Sequence, residues 1–365
     1  MKIAIATPVL IDGDAVSNDV VGMSAALQKA GHDVQIFVHQ SLAPGVPVRP
    51  IDKVHEFLRP QDLLIYHFSV GWDQGLHLTT TLRCRKIIKY HNVTPPEYFE
   101  GVNEDYAAVC RAGRNMLQNI AAIPADLFLS DSEYNMAELL YACAPPHRNF
   151  VVPPFHHIDR LLEADADLAT LTQVRDGHTN VLMVGRLAPN KGHVALVEAF
   201  ARYHYDYNRA SRLIIVGKQD PRLSAYLDAI HEAIARFELR EKVLFTGEVS
   251  EEQLKAYYLA AHVFSIASEH EGFCVPVVEA MAHHVPVAAY ASTALTKTLG
   301  TAGIVWEQRD PDLLAASINE IATNPDTATG LGDAGWQRYR THFGNDIIET
   351  QFLQVLRDAA SDSSR

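Results

Sequence analysis

The sequence predicts an α/β protein built as two parallel-sheet domains. Three observations carry this. Short apolar runs rich in β-branched residues alternate with stretches of helical periodicity, the pattern of a parallel sheet covered on both faces. Several of these runs pass straight into polar or Pro-containing loops, where ligands of open α/β sheets bind. The alternation stops once, over residues 155–176, and then restarts. At 365 residues and 48% hydrophobic, the chain exceeds one ordinary core and suits two.

The first series opens with an apolar strand over residues 2–9. Its start, MKIAIATPVLI, resembles a short signal segment, but it lacks a convincing cleavage site and reads as a buried strand. The polar loop IDGDAVSND follows, then a helix with Val20, Met23, Ala26 and Leu27 on its apolar face. Gly31 ends that helix and VQIFVH is the next strand. Strands follow at 62–68, 86–92 and 125–132, then a helix from Glu133 to Ala142 and an extended NFVVPP at 149–154. After the polar connector, strands are expected at 180–184, 212–216, 242–246, 262–266 and 286–289. Late helices are expected at 310–322 and 330–342. The amphipathic DIIETQFLQVLRDAA is expected to pack back on the first domain, and the closing SDSSR to fray. The expected division is 1–157, a connector 158–176, a second domain 177–342, and a returning segment 343–365.

Composition narrows the function classes. The formal charge is −13, from 44 acidic and 31 basic side chains, which disfavours a nucleic-acid binder. No run of eighteen apolar residues suggests a membrane span. Cys84, Cys110, Cys143 and Cys274 lie too far apart for a zinc or redox motif, which points to free thiols in a reducing cytoplasm. The eighteen histidines include the pairs His156–His157 and His283–His284, neither with metal-ligand spacing.

Four stretches carry chemistry. In VLMVGRLAPNKGHVALVEAF a strand ends at Gly185 and a polar loop presents Arg186 and Lys191 before a helix. A planar fork of donors and a point charge suit a diphosphate, which the positive helix end also favours. The loop is not a Walker A motif. In SEHEGFCVPVVEAMAHHVPVAAY, Glu271 precedes a helix and Glu279 lies inside it. Carboxylates accept paired hydroxyls of sugar or ribose. Glu279 stands in an apolar run, where an unpaired acid is costly, so a ligand or a buried Arg or Lys partner is expected. Gly272, Phe273 and Cys274 can turn backbone N–H groups toward a phosphate or sugar hydroxyl. In YHNVTPPEYF, His91 ends a strand and enters a stiff loop; it faces a ligand or is a satisfied core histidine. His67 has the same placement. In IDGDAVSND, backbone amides are placed to receive phosphate, while Ser17, Asn18 or Asp19 is available to cap the helix. Asp165-Ala166-Asp167 matches a D-x-D metal–nucleotide pattern but has no preceding strand, and reads as connector.

With these residues in view, the chain resembles the GT4 family of retaining glycosyltransferases, which have the GT-B fold: two Rossmann-like parallel-sheet domains facing across a cleft. The resemblance is strongest from GRLAPNKG through TGEVSEEQLKAYYLAAHVFSIAS to EGFCVPVVEAMA. It implies phosphate contacts for Arg186 and Lys191, donor-sugar contact for Glu271, ribose contact for Glu279, and a place near the donor sugar for His91. It sets Gly247–Val249 near the nucleotide base. There are departures. Asp14 and Ala15, beside Gly13, stand where many relatives have a Gly-Gly pair; the resemblance still implies phosphate-facing amides at Gly13 and Ala15. Cys274 replaces the usual Gly of E-G-F-G, and Thr296-Lys297 a common Pro-Glu.

The resemblance implies transfer from a nucleoside diphosphate sugar to a hydroxyl with retention. It needs no cofactor and no metal. GDAVSND with YHNVTPPEYF is similar to a bacterial subgroup of surface-polysaccharide enzymes, so GDP-mannose is the leading donor and a UDP-sugar the alternative. The first domain is the acceptor side, the acceptor being a glycan or lipid-linked saccharide. A silent sugar-nucleotide-binding module is the competing reading. A cytoplasmic protein is expected. The basic cluster Arg83, Arg85, Lys86 and Lys89 suggests a peripheral contact with anionic lipid on the cytoplasmic membrane. Oligomeric state is open.

Overall fold

The computed structural model describes residues 1–362 as two compact units. The first comprises Met1–Pro96, Asp105–His157 and the chain from Gly344 onward. The second comprises Glu97–Glu104 and Ile158–Phe343.

The first unit holds a seven-stranded, all-parallel sheet of β1 (Lys2–Ile11), β2 (Asp33–Leu42), β3 (Val48–Pro50), β4 (Leu63–Phe68), β5 (Arg85–Tyr90), β6 (Leu127–Ser130) and β7 (Asn149–Val151). Their order is β3-β2-β1-β4-β5-β6-β7. The alternation of side chains along β1 divides the core: Ile3 and Ile5 face one layer, Ala4 and Ala6 the other. The helix Ala15–Lys29 buries Val20, Met23, Ala26 and Leu27 against the first layer, as its periodicity predicts. It begins earlier than the expected Ser17–Asp19 caps allow. Asp14 is the cap, accepting from the Ser17 N–H at 3.2 Å, because Gly13 turns at φ +72 just before it. Asp19 therefore lies inside the helix, fully buried.

The helix Asn345–Asp362 brings Ile348 and Phe352 into the same core as β1. Its Gln351 amide donates to the Val151 carbonyl at 2.7 Å. It takes in the first two residues of SDSSR; the other three residues of that expected frayed tail lie outside the described residues.

The second unit holds a six-stranded parallel sheet of β8 (Thr179–Val184), β9 (Ser211–Val216), β10 (Val243–Gly247), β11 (Val263–Ile266), β12 (Val287–Tyr290) and β13 (Gly303–Trp306), in the order β10-β9-β8-β11-β12-β13. Leu182 of β8 enters one layer of core, Val181 and Met183 the other. Residues 158–176, read as connector, form two short helices, Ile158–Glu163 and Leu168–Val174, whose buried residues join the second core. Asp167 caps the second of these by accepting from Thr170 N–H at 2.7 Å, so the D-x-D triplet serves as a helix start. Sequence periodicity missed β3 and β13, both short, and the helices Asp73–Thr81 and Glu104–Ala121.

In both sheets the order in which strands are added reverses beside the first strand, between β1 and β4 and between β8 and β11. Such switch points open a crevice at the carboxyl ends of the strands. Among the described residues no helix is long and apolar enough to cross a membrane.

Phe352 is wholly buried in the core of the first unit. Phe352→Ala is expected to destabilise that unit by about 3–5 kcal/mol. Denaturant unfolding followed by circular dichroism measures it, and a loss under about 1 kcal/mol would show that the last helix is not part of the core.

Candidate functional site

At the switch point of the second unit, β8 ends in the loop that carries Arg186 and Lys191, and β11 ends in the loop that carries Glu271. A turn at Pro189–Lys191 leads into Gly192, which has φ +67 and starts the helix His193–Arg202. A Cβ at Gly192 would stand 2.0 Å from the Ala267 carbonyl oxygen, so only glycine lets the two loops approach this closely. Asn190 pins them together. Its carbonyl accepts from the Glu269 N–H at 2.8 Å, and its side-chain amide donates to the His270 carbonyl at 3.0 Å.

This contact brings together two residues that the sequence assigned to different parts of a ligand. The Lys191 ammonium donates to both oxygens of Glu271, at 2.9 and 2.8 Å. Glu271 is buried, and Lys191 remains partly open to solvent. The Ser268 hydroxyl donates to Glu271 Oε1 at 2.7 Å, and the Glu271 N–H donates to the Thr293 hydroxyl at 2.7 Å. Ser268 and Thr293 went unnoticed in the sequence because nothing in their spacing marks them. Arg186 stands exposed on the same loop.

Glu279 lies in the helix Val275–Ala282, half-buried. Burial raises its carboxyl above the usual carboxylate value, and a hydrogen bond from Tyr258 works in the opposite direction. The expected Arg or Lys partner is not there: among the described residues its contact is the Tyr258 hydroxyl, which donates to Oε2 at 2.7 Å. Gly272, Phe273 and Cys274 precede this helix. Cys274 has φ +76, a left-handed conformation that a side chain disfavours, which explains why E-G-F-G is the commoner form. Burial, with the Glu271 charge behind it, holds the Cys274 thiol well above its ordinary value and so unreactive. Val249 packs at the edge of the core after Gly247 (φ +71). Lys297 is exposed on the short helix Leu295–Leu299.

The first unit has its own charged cluster at the β1/β4 switch point. His91 does not leave a ring nitrogen open. Its Nδ1 meets Asp131 Oδ2 at 2.9 Å and its Nε2 meets His67 Nδ1 at 2.8 Å. The Lys89 ammonium lies 2.6 Å from Asp131 Oδ1 and 3.8 Å from Asp19 Oδ2, and donates to the Val152 carbonyl. Asp19 Oδ1 accepts from the Phe155 N–H at 2.8 Å.

Burial works to raise the Asp131 carboxyl, but His91 and Lys89 outweigh it and hold it below the usual value. Burial raises Asp19 despite the opposing Lys89 and His91. His67 is held well below its ordinary value by burial, with His91 and Lys89 adding to it. One tautomer that satisfies both contacts has His67 Nδ1 donating to His91 Nε2 and His91 Nδ1 donating to Asp131 Oδ2.

Ligand-type atoms of Asp19, His67 and His91 lie within 4.8 Å of one another. Lys89 already supplies the positive charge beside Asp19, and the two rings bond directly, so the group reads as an internal charge network. The signal for it in the sequence was a lysine in the apolar run KIIKY, which requires a buried partner. The same burial dismantles the proposed lipid-facing cluster: Lys86 and Lys89 are inside, Arg85 pairs with Asp126 at 3.4 Å, and Arg83 alone of the four is exposed. Gly13, in the turn after β1, and Ala15, the first residue of the following helix, are exposed.

Two all-parallel α/β units with charged clusters at their strand-end switch points define the class of protein. Residues 172–338 match the family model for glycosyl transferases group 1. The match covers most of the second unit and supports, over that stretch, the resemblance read from its motifs.

It is 27% identical over 242 residues to a GDP-mannose-dependent alpha-(1-6)-phosphatidylinositol monomannoside mannosyltransferase of Mycobacterium tuberculosis, covering 63% of this chain and 61% of the relative. It is 29% identical over 172 residues to the O-antigen chain mannosyltransferase B of Escherichia coli, covering 44% of this chain and 43% of the relative. The chain thus spans less than two thirds of these relatives' length. Sucrose-phosphate synthase from Thermosynechococcus elongatus superposes with a TM-score of 0.75 at 23% identity, over 99% of this chain and 100% of that one. Anabaena HepE in complex with UDP and glucose gives a TM-score of 0.78 at 19% identity, over 98% and 100%. At such identities the structural likeness establishes the fold.

Asp131→Asn leaves the buried Lys89 with only the more distant Asp19 carboxyl, 3.8 Å away, as counter-charge and is expected to cost about 3–5 kcal/mol. The double variant Lys89→Met/Asp131→Asn is expected to recover a substantial part of this loss. Equilibrium unfolding of both checks it; equal stability of the single variant and the wild type would dismiss the pairing.

Proposed function

We propose that this protein is a retaining glycosyltransferase that moves a sugar from a nucleoside diphosphate sugar to a hydroxyl of a glycan or lipid-linked saccharide. The observation that carries the reading is the Lys191–Glu271 pair at the switch point of the second sheet, inside the region matching glycosyl transferases group 1. GDP-mannose is the leading donor, favoured by the mannosyltransferase names of the relatives in sequence. A UDP-sugar is the alternative.

In this reading Arg186 and Lys191 neutralise the diphosphate as charge develops on the leaving oxygen, which is electrostatic stabilisation by fixed donors. Two protein cations supply this without a metal. Lys191 must turn from Glu271 to phosphate, and the carboxylate it leaves becomes an acceptor for hydroxyls of the transferred sugar. Glu279 holds the ribose. The leaving phosphate itself receives the acceptor proton, so Glu271 acts as an orienting group and not as a general base. His91, with both nitrogens engaged, shapes the loop 92–96 from within. Any lipid-linked acceptor would be met at the cytoplasmic face of the membrane by a surface other than the buried lysines.

Two measurements test this. Purified protein offered GDP-mannose and UDP-sugars, with product linkage analysis, is expected to show transfer that survives exhaustive chelation. Complete loss on chelation, restored by Mg²⁺ or Mn²⁺, would overturn the metal-free mechanism. Lys191→Ala is expected to cost about 2–5 kcal/mol in transfer. Glu271→Gln is expected to impair transfer while nucleoside diphosphate affinity stays level or rises, because Lys191 is released from its carboxylate. Calorimetry showing equal loss of diphosphate affinity in Glu271→Gln and Glu279→Gln would mean the two acids do not divide the work this way.

A further inference from the structure

The Glu279 carboxylate is not presented symmetrically. Tyr258, on the helix Glu251–Ala260, donates its hydroxyl to Oε2 at 2.7 Å and approaches the Pro276 carbonyl at 3.3 Å. Oε1 carries no hydrogen bond among the described residues. The Tyr258 ring cannot easily turn away. It is buried, stacked on His283 at 4.8 Å and 11°, and on Phe264 at 6.3 Å and 19°. His283 is itself fixed, its Nδ1 lying 2.8 Å from the Glu279 carbonyl oxygen one helical turn back. A strand residue and a helix-end residue thus hold the ring whose hydroxyl reaches one carboxylate oxygen.

We infer that Tyr258 is a positioning residue for ligand recognition: by capping Oε2 it fixes the plane of the Glu279 carboxylate and leaves Oε1 as the acceptor offered to a ribose hydroxyl. This rests on the ribose reading of Glu279 and extends it to a residue outside the two-glutamate motif. Burial and the nearby Glu279 charge keep the Tyr258 phenol protonated, so it remains a donor through the neutral range. Its donation also favours the ionised form of a carboxylate that burial pushes toward neutrality. A hydroxyl acceptor held in one orientation loses less freedom on binding than one free to rotate. A site built to hydrogen-bond a hydroxyl rejects the analogue that lacks it, because its buried group is left unpaired.

The test uses the full chain and four probes: UDP, GDP, the 2′-deoxy form of whichever binds better, and inorganic pyrophosphate. Wild type is expected to prefer the ribonucleotide over the deoxynucleotide by roughly tenfold or more. Tyr258→Phe keeps the stacked ring and removes one oxygen. It is expected to weaken ribonucleotide binding several-fold and shrink the ribo/deoxy preference, with pyrophosphate affinity unchanged. A general disturbance of the fold would weaken pyrophosphate as well, and that result overturns a specific positioning role. A ribo/deoxy ratio kept by Tyr258→Phe but lost by Glu279→Gln overturns the role of Tyr258 alone. A ratio kept by both variants, or no binding of either nucleotide to wild type, overturns the ribose reading beneath it as well.

Discussion

At residue 192 the chain has no room for a side chain, and much of the second unit's charged site follows from that. The Ala267 carbonyl occupies the space a Cβ would need. Because the backbone passes this close, the loops after β8 and β11 lie against each other, Asn190 reaches His270, and the Lys191 ammonium reaches Glu271. A larger residue would separate the loops and leave a buried carboxylate without its cation, a costly arrangement. The pairing of opposite charges here is a consequence of backbone approach before it is a feature of ligand binding.

The two units handle buried charge differently. In the second, Lys191 is partly open to solvent and its partner is held by neutral hydroxyls, so exchanging one anion for another at the ammonium requires no rebuilding of the core. In the first, Lys89, Asp131, His91, His67 and Asp19 are enclosed together, and the lysine answers its carboxylates from inside, Asp131 at 2.6 Å and Asp19 at 3.8 Å. Such a network contributes rigidity and a fixed set of tautomers, and its members are poorly placed to exchange partners. The two clusters stand at equivalent topological positions, yet only one keeps a charged group within reach of solvent.

Much of the fold was legible because its strands are continuous apolar runs between helices of regular periodicity, as the buried faces of Ala15–Lys29 and β8 show. What escaped were short edge strands such as Val48–Pro50, with too few residues to display a pattern. The site divided the same way. Arg186, Lys191, Glu271 and Glu279 stand out because charge within a glycine-marked or apolar context is unusual. Tyr258, Ser268 and Thr293 carry no such mark, since a tyrosine on an amphipathic helix or a hydroxyl in a loop is ordinary until its partner is known. His91 shows the limit: its placement at a strand end was readable, but whether it faced outward or toward Asp131 depended on residues forty positions away.

The returning last helix has a consequence for synthesis. A ribosome delivers the strands of the first unit early, yet Ile348 and Phe352, which close one layer of its core, emerge after the whole of the second unit. Until then Phe155, whose ring Phe352 meets edge-on at 6.2 Å, lacks that cover. The second unit, contiguous from Ile158 to Phe343 apart from one short segment that is already made, has all its residues in hand sooner. The nascent chain therefore completes its parts in the reverse of their order in the message, and in that interval the uncovered part of the first core is a surface for chaperones to shield.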